Sequence, residues 1–173
     1  MTSISETLTE TVARAGDLSP GTMRMVTVEG HPVALVTTDA GTCALDNACP
    51  HQGYGLVTGT LAGGTVTCQW HNWKFDVATG RSLMGEEDVP CHRVDLVDGE
   101  VRVTVRRPSA AETRQRVWPS LHRGLPADYT GQVARDTIRL LDAGVTPAEI
   151  MGEALAAAAL ADGAGSFIVA ATW

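Results

Sequence analysis

The sequence predicts a mainly β protein, an antiparallel sandwich or barrel, followed by a helical C-terminal segment. From residue 24 to residue 107, short runs of β-branched and apolar residues are separated by turn residues. The clearest hairpin joins residues 94–97 to residues 100–105 through Asp98-Gly99, a pair that favours a two-residue turn with positive φ. After residue 108, apolar residues recur at helical spacing. No helical period separates the strands, so the sheet is expected to be antiparallel.

Taken in order, the chain divides into three segments. Residues 1–17 are expected to form an N-terminal helical extension, with a helix over residues 5–16 capped by Ser3 or Ser5. Residues 18–108 carry the β runs, and residues 109–173 form a helical tail or the start of a further domain. In that tail, Thr146, Pro147 and Glu149 match the N-cap, first and third positions of a capping box.

Charge and hydropathy exclude two classes of partner. Thirteen basic and twenty acidic residues give a net charge of −7, and no basic stripe is present that would neutralise nucleic-acid phosphates. The first twenty residues include acidic positions and lack an apolar stretch, which favours a cytoplasmic protein. The apolar run over residues 154–173 contains Asp162 and is mostly Ala and Gly, so no membrane span is expected.

Two short segments combine a thiol with an imidazole. Cys49 and His51 form a C-x-H motif, Cys68 and His71 form a C-x-x-H motif, and sixteen residues separate His51 from Cys68. Such a Cys₂His₂ set binds metal, with zinc as the alternative to iron. Zinc fingers usually place both cysteines in one loop, whereas each loop here is mixed.

The other cysteines and histidines are assigned no ligand role. Cys43 and Cys91 are expected to be small apolar residues in a sheet. The remaining histidines are expected to be surface or turn residues: His31, His92 and His122.

In these motifs the chain resembles the Rieske-type [2Fe–2S] ferredoxins and the Rieske domains of ring-hydroxylating oxygenase systems. The resemblance covers roughly residues 18–108 and includes residues 59–61, residues 73–76 with residues 78–80, and residues 97–101. It implies a Rieske sandwich or barrel with two cluster-binding loops at its tip. It also implies that Cys49 and Cys68 bind one iron while His51 and His71 bind the other.

The resemblance implies an electron-transfer function. Two ferric ions, two sulfides and two thiolates sum to zero charge with neutral histidines, which makes the cluster easier to reduce than an all-thiolate one. The expected role is a one-electron carrier between a flavoprotein reductase and an oxygenase-type acceptor, not a stand-alone catalyst. The alternatives are a module of a larger oxidoreductase and a redox sensor that oligomerises through its helical tail. An oxygenase also needs two histidines and a carboxylate for mononuclear iron, and beyond residue 108 only His122 is available.

Three departures from relatives carry further expectations. Asn72 follows the second histidine where many relatives have Gly, and Asn tolerates the left-handed conformation. Tyr54 and Trp70 take the places of the disulfide cysteines of respiratory Rieske proteins. Trp73 and Phe75 take the places of a Ser and a Tyr whose hydroxyls raise the potential in high-potential relatives, so a low potential is expected.

Overall fold

The computed structural model describes residues 5–127 and 129–160, with the side chains of residues 158–160 excepted. The predicted cap at Ser3 and residues 161–173 of the apolar run lie outside these residues. The described chain contains ten strands and three α-helices. The strands are β1 (Glu6–Arg14), β2 (Thr22–Val28), β3 (His31–Thr38), β4 (Gly41–Asp46), β5 (Thr60–Ala62), β6 (Thr65–Thr67), β7 (Lys74–Asp76), β8 (Ser82–Met84), β9 (Cys91–Val97) and β10 (Glu100–Arg107). The helices are α1 (Ala110–Gly124), α2 (Thr130–Asp142) and α3 (Pro147–Leu160).

The strands form two antiparallel sheets in one compact unit, Ser5–Arg107. The larger sheet has the order β1-β10-β9-β4-β3-β2, and the smaller has the order β5-β6-β7-β8. The predicted β9–β10 hairpin is confirmed: Val97 pairs with Glu100, and Asp98 and Gly99 have φ values of 52° and 79°. The mainly β, antiparallel fold class with a helical C-terminal segment is likewise confirmed.

The expected N-terminal helix over residues 5–16 is wrong. β1 pairs with β10 over most of its length, and only residues 15–17 form a short 3-10 helix. Leu8 and Val12 both pack against the sheet core. A separation of four residues places two side chains on one face of a helix and also on one face of a strand. Three alternating threonines favour the strand, and pairing with β10 satisfies its backbone.

The core of the β unit lies on both sides of β3. Ala34 and Val36 pack with Val66 and Phe75 of the smaller sheet. The alternate residues of β3, Val33 and Leu35, pack with a different set that includes Val101, Val103 and Val105 of β10. The two edge strands of the larger sheet, β1 and β2, contact each other, so this sheet curls round. One core therefore lies between the two sheets, and the other lies inside the curved larger sheet.

The helices form a separate compact unit that begins at Pro108. Its core is built from Val117, Leu121, Leu140, Val145 and Ile150. The predicted capping box at the start of α3 is confirmed, because the Glu149 backbone N–H donates to Thr146 Oγ1 and the Thr146 backbone N–H donates to Glu149 Oε2. Within the described residues, no helix combines the length and the apolar character that crossing a membrane requires.

Candidate metal centre

The two mixed motifs lie on loops at the ends of strands in different sheets. The first loop, residues 49–54, follows β4 of the larger sheet, and the second loop, residues 68–73, joins β6 to β7 of the smaller sheet. Each loop is closed by a hydrogen bond from its cysteine N–H to the carbonyl five residues later: Cys49 to Tyr54 at 2.7 Å and Cys68 to Trp73 at 2.8 Å. These bonds make each loop a compact turn.

The loops bring all four predicted ligand residues together at one end of the β unit. The His51 and His71 imidazoles lie with their Nδ1 atoms 2.9 Å apart. The thiols of Cys49 and Cys68 are 3% and 2% exposed and share one apolar core. Two buried sulfurs and two converging imidazole nitrogens fit a binuclear cluster that has thiolate ligands on its inner side and imidazole ligands on its outer side.

The electrostatics of Cys49 are set by its loop. Burial raises the pKa of the Cys49 thiol to about 11, whereas hydrogen bonds from the backbone N–H groups of His51 and Gln52 lower it. The nearby Cys68 thiol adds to the rise. A buried sulfur that already accepts two backbone N–H groups is prepared to carry negative charge once a metal displaces its proton.

Aromatic rings surround the imidazoles. Trp73 stacks on His51 with ring centroids 4.9 Å apart, and Tyr54 stacks on Trp70 at 4.6 Å. Trp70 is 56% exposed, whereas Trp73 is partly buried and packs against the core that contains both cysteines. Gly85 supports Trp73, because a Cβ at that position would lie 2.4 Å from the indole ring. Trp73 therefore stacks on one predicted ligand, His51, whereas Trp70 makes a T-shaped contact with the other imidazole, His71.

Comparison with known proteins identifies the family of the domain that contains this centre. A model of the Rieske [2Fe-2S] domain family matches residues 9–103, more than half of the chain. The chain belongs to the Rieske [2Fe-2S] domain family. The resemblance found from the motifs is therefore confirmed, and the cofactor of this Rieske domain is a [2Fe–2S] cluster.

Individual relatives of this Rieske domain differ in size. Apoptosis-inducing factor 3 of Mus musculus is 36% identical over 110 residues, which is 61% of this chain and 18% of that protein. The ferredoxin CarAc of Metapseudomonas resinovorans is 34% identical over 95 residues, covering 53% of this chain and 89% of that protein. A solved complex of reduced oxygenase and oxidized ferredoxin in carbazole 1,9a-dioxygenase contains a chain that superposes with a TM-score of 0.55 at 29% identity, covering 58% of this chain and 96% of that one. The chain thus spans less than one fifth of the first of these relatives.

The Rieske loops also depend on two residues outside the ligand motifs, of which the sequence indicates Gly59 but not Asn47. The Asn47 side chain accepts a hydrogen bond from the Val57 backbone N–H at 3.0 Å, which ties the entry of the first loop to its exit. Gly59 passes so close to the end of β6, just before the second loop, that a Cβ would lie 2.1 Å from the Thr67 carbonyl oxygen. The sequence signal for Gly59 was present in the family pattern, whereas nothing in the sequence marks Asn47.

The expectation that the other histidines lie on the surface or in turns is wrong for His92, whose side chain is 3% exposed, whereas His31 follows the turn at residues 29–30 and is partly exposed. His31 and His92 are residues of β3 and β9, and both contact the Asp46 carboxylate. Their sequence separations from Asp46, 15 and 46 residues, carry no local pattern, so only the sheet register reveals the contact. His122 fits the expectation, because it is exposed and pairs with Glu153.

Proposed function

We propose that this chain is a one-electron carrier whose cluster is held by Cys49 and Cys68 on one iron and by His51 and His71 on the other. The observation that carries the proposal is the convergence of these four side chains from two loops of different sheets. When bound, the [2Fe–2S] cluster supplies reversible one-electron chemistry.

The cysteines, the backbone of the first loop and His71 have different roles around the cluster. The cysteines lie in an apolar core, which excludes water from the sulfur side of the centre. The backbone N–H groups of His51 and Gln52 donate to the Cys49 sulfur and stabilise negative charge there. His71 is exposed, so its imidazole is the ligand edge nearest to solvent. A partner that docks at this end therefore reaches the centre through an imidazole.

The partners we propose are a flavoprotein reductase as electron donor and an oxygenase-type protein as acceptor. The supporting comparison is the solved complex of oxygenase and ferredoxin described above. The exposed rings of Tyr54 and Trp70, beside the His71 imidazole, suit a transient protein contact. A role as one module of a larger oxidoreductase is the second candidate, because apoptosis-inducing factor 3 is several times longer than the matched region.

We also propose a cytoplasmic location and self-association through the helical unit. All four cysteines are free thiols, which suits a reducing compartment. The helices expose Ile138, Met151 and Leu155, each more than two fifths accessible. Sedimentation velocity should detect an oligomer that Ile138→Lys weakens and that Leu96→Lys, an equally exposed change in the β unit, leaves intact. A monomer at all concentrations would remove the self-association proposal.

Metal and electron stoichiometry test the carrier function. The purified chain should contain two irons and two acid-labile sulfides, and reductive titration should add one electron per chain. The reduced chain should then be reoxidised by an oxygenase component in a stopped-flow experiment. Stoichiometric zinc without sulfide, or a centre that takes up no electron, would overturn the proposal.

A further inference from the structure

Three polar side chains from neighbouring strands converge on the larger sheet. His31 begins β3, Asp46 ends β4, and His92 is the second residue of β9. Asp46 Oδ1 lies 2.5 Å from His31 Nε2 and 2.8 Å from His92 Nε2. The two imidazole rings are nearly perpendicular, with centroids 5.6 Å apart, and the three donor atoms lie within 4.8 Å of one another.

This His31–Asp46–His92 group is separate from the Rieske loops. Asp46 pairs with Val33, and His92 pairs with Ala44. Paired residues share one face of a sheet, and both Val33 and Ala44 belong to the core inside the curved larger sheet. The cysteines instead pack with Ala34 and Leu45, which occupy the opposite face. The two groups of ligand-type side chains therefore lie on opposite faces of β4.

The environment of the three side chains suits an ion. The His92 side chain is 3% exposed, and those of Asp46 and His31 are 23% and 26% exposed. One ligand is thus anchored in the protein, while the other two leave a side open to water. Burial raises the pKa of Asp46, but hydrogen bonds from His31 and His92 outweigh burial and lower the pKa to about 2. The carboxylate is therefore ionised at neutral pH, as a metal ligand must be.

We propose that His31, Asp46 and His92 form a second metal site, which binds a divalent first-row transition ion through two imidazole nitrogens and one carboxylate oxygen. Imidazole suits zinc, copper, iron and nickel, and three protein ligands with a solvent-filled position form an open site. Bonds of about 2.0 Å place adjacent ligands of a tetrahedral ion roughly 3.3 Å apart. The carboxylate oxygen needs to withdraw from the imidazoles by less than about 1 Å to admit the ion. Without metal, the same three groups are held together by the Asp–His hydrogen bonds.

Zinc binding to the protein with its iron–sulfur cluster in place tests the site. The loaded protein is required because the cluster occupies the loop ligands, which would otherwise compete for zinc. Equilibrium dialysis with zinc chloride at pH 7.5 should show one zinc per chain. Asp46→Asn and His31→Gln should each weaken binding at least tenfold. His122→Gln, at the exposed pair with Glu153, is the matched control and should bind zinc like the unchanged protein.

The ligand atoms provide a second and independent measurement. Zinc-edge X-ray absorption should show nitrogen and oxygen neighbours with imidazole scattering and no sulfur. Sulfur neighbours would assign the zinc to cysteines and overturn the proposal. Absence of retained zinc, or equal binding by Asp46→Asn, His31→Gln and the unchanged protein, would also overturn it and leave a hydrogen-bonded group only. Iron and sulfide content in the same samples reports separately on the Rieske centre, and circular dichroism verifies that each variant is folded.

Discussion

The first loop, residues 49–54, and the second loop, residues 68–73, use one backbone pattern. In each, the cysteine N–H donates to the carbonyl five residues later, and the residue four positions after the cysteine donates its N–H back to the cysteine carbonyl. That residue is Gly53 in the first loop and Asn72 in the second, and both have positive φ, 78° and 57°. The expectation that Asn72 preserves the turn is confirmed. The same turn therefore forms with either residue.

The loops differ in where they place the imidazole. The histidine is two residues after the cysteine in the first loop and three residues after it in the second, so two similar turns present their imidazoles differently. The His51 ring is stacked on Trp73 of the second loop. The His71 ring instead makes T-shaped contacts with His51 and Trp70, at interplanar angles of 79° and 87°. The second loop thus shelters the first, and its own histidine stays exposed. The two loops have similar backbones, but their side chains leave His51 partly buried and His71 exposed.

The largest expected effect comes from removing either imidazole. His51→Ala and His71→Ala should each lose most of the iron and sulfide, because an iron loses a ligand that the other loop cannot replace. Cys43→Ser and Cys91→Ser are controls, since neither thiol belongs to a loop, and both should retain the cluster. Iron and sulfide analysis checks the result. Retention of the full cluster by either histidine variant would show that this histidine is not a ligand.

A smaller effect should distinguish the two turn residues. Gly53→Ala places a Cβ at φ 78° with no atom within 4 Å, so only backbone strain opposes the change. That strain should cost about 1–2 kcal/mol of folding free energy. Asn72→Gly relieves similar strain but adds chain entropy to the unfolded state, so its net effect should lie within about 0.5 kcal/mol. Denaturant unfolding of the loaded proteins compares them, and equal losses would show that φ does not limit either turn.

The stack of Tyr54 on Trp70, which joins the two loops, should contribute still less to the free energy of unfolding. Tyr54 and Trp70 lie 4.6 Å apart between centroids at an interplanar angle of 17°. Such a stack is expected to contribute about 0.5–1.5 kcal/mol, near the lower value here because both rings are exposed. A double-mutant cycle of Tyr54→Ala and Trp70→Ala, read by the unfolding free energy, measures the coupling. A coupling energy near zero would mean that the loops do not support each other through these rings.

The loops were predictable from the sequence because their ligands are local. Cys49 with His51, and Cys68 with His71, each lie within four consecutive positions, and the Asp98-Gly99 turn and the Thr146 cap are also local patterns. The N-terminal strand was not predictable in this way, because the spacing of Leu8 and Val12 suits a helix and a strand equally. The contacts of Asp46 with His31 and His92 depend on the register of three strands. Both the N-terminal strand and the Asp46 contacts therefore depend on pairing between strands that are distant in sequence.

The last and smallest effect concerns the reduction potential. Phe75 is fully buried in the core that contains both cysteines, and the resemblance stated above implies a tyrosine hydroxyl here in high-potential relatives. Without that hydroxyl, the potential should lie near the low end of the Rieske range, about −150 mV. Phe75→Tyr should raise it by tens of millivolts if the hydroxyl donates to a ligand sulfur, since a donor there stabilises the added electron.

Phe75→Leu is the matched control for this change, because it alters the packing of the same pocket without adding a donor. It should leave the potential nearly unchanged. Potentiometry followed by EPR or circular dichroism measures all three proteins. A midpoint of the unchanged protein above about +150 mV would contradict the expectation. The backbone N–H groups of His51 and Gln52 at the Cys49 sulfur would then outweigh the missing hydroxyl. The donors of the first loop would in that case influence the potential more than the residue at position 75 does.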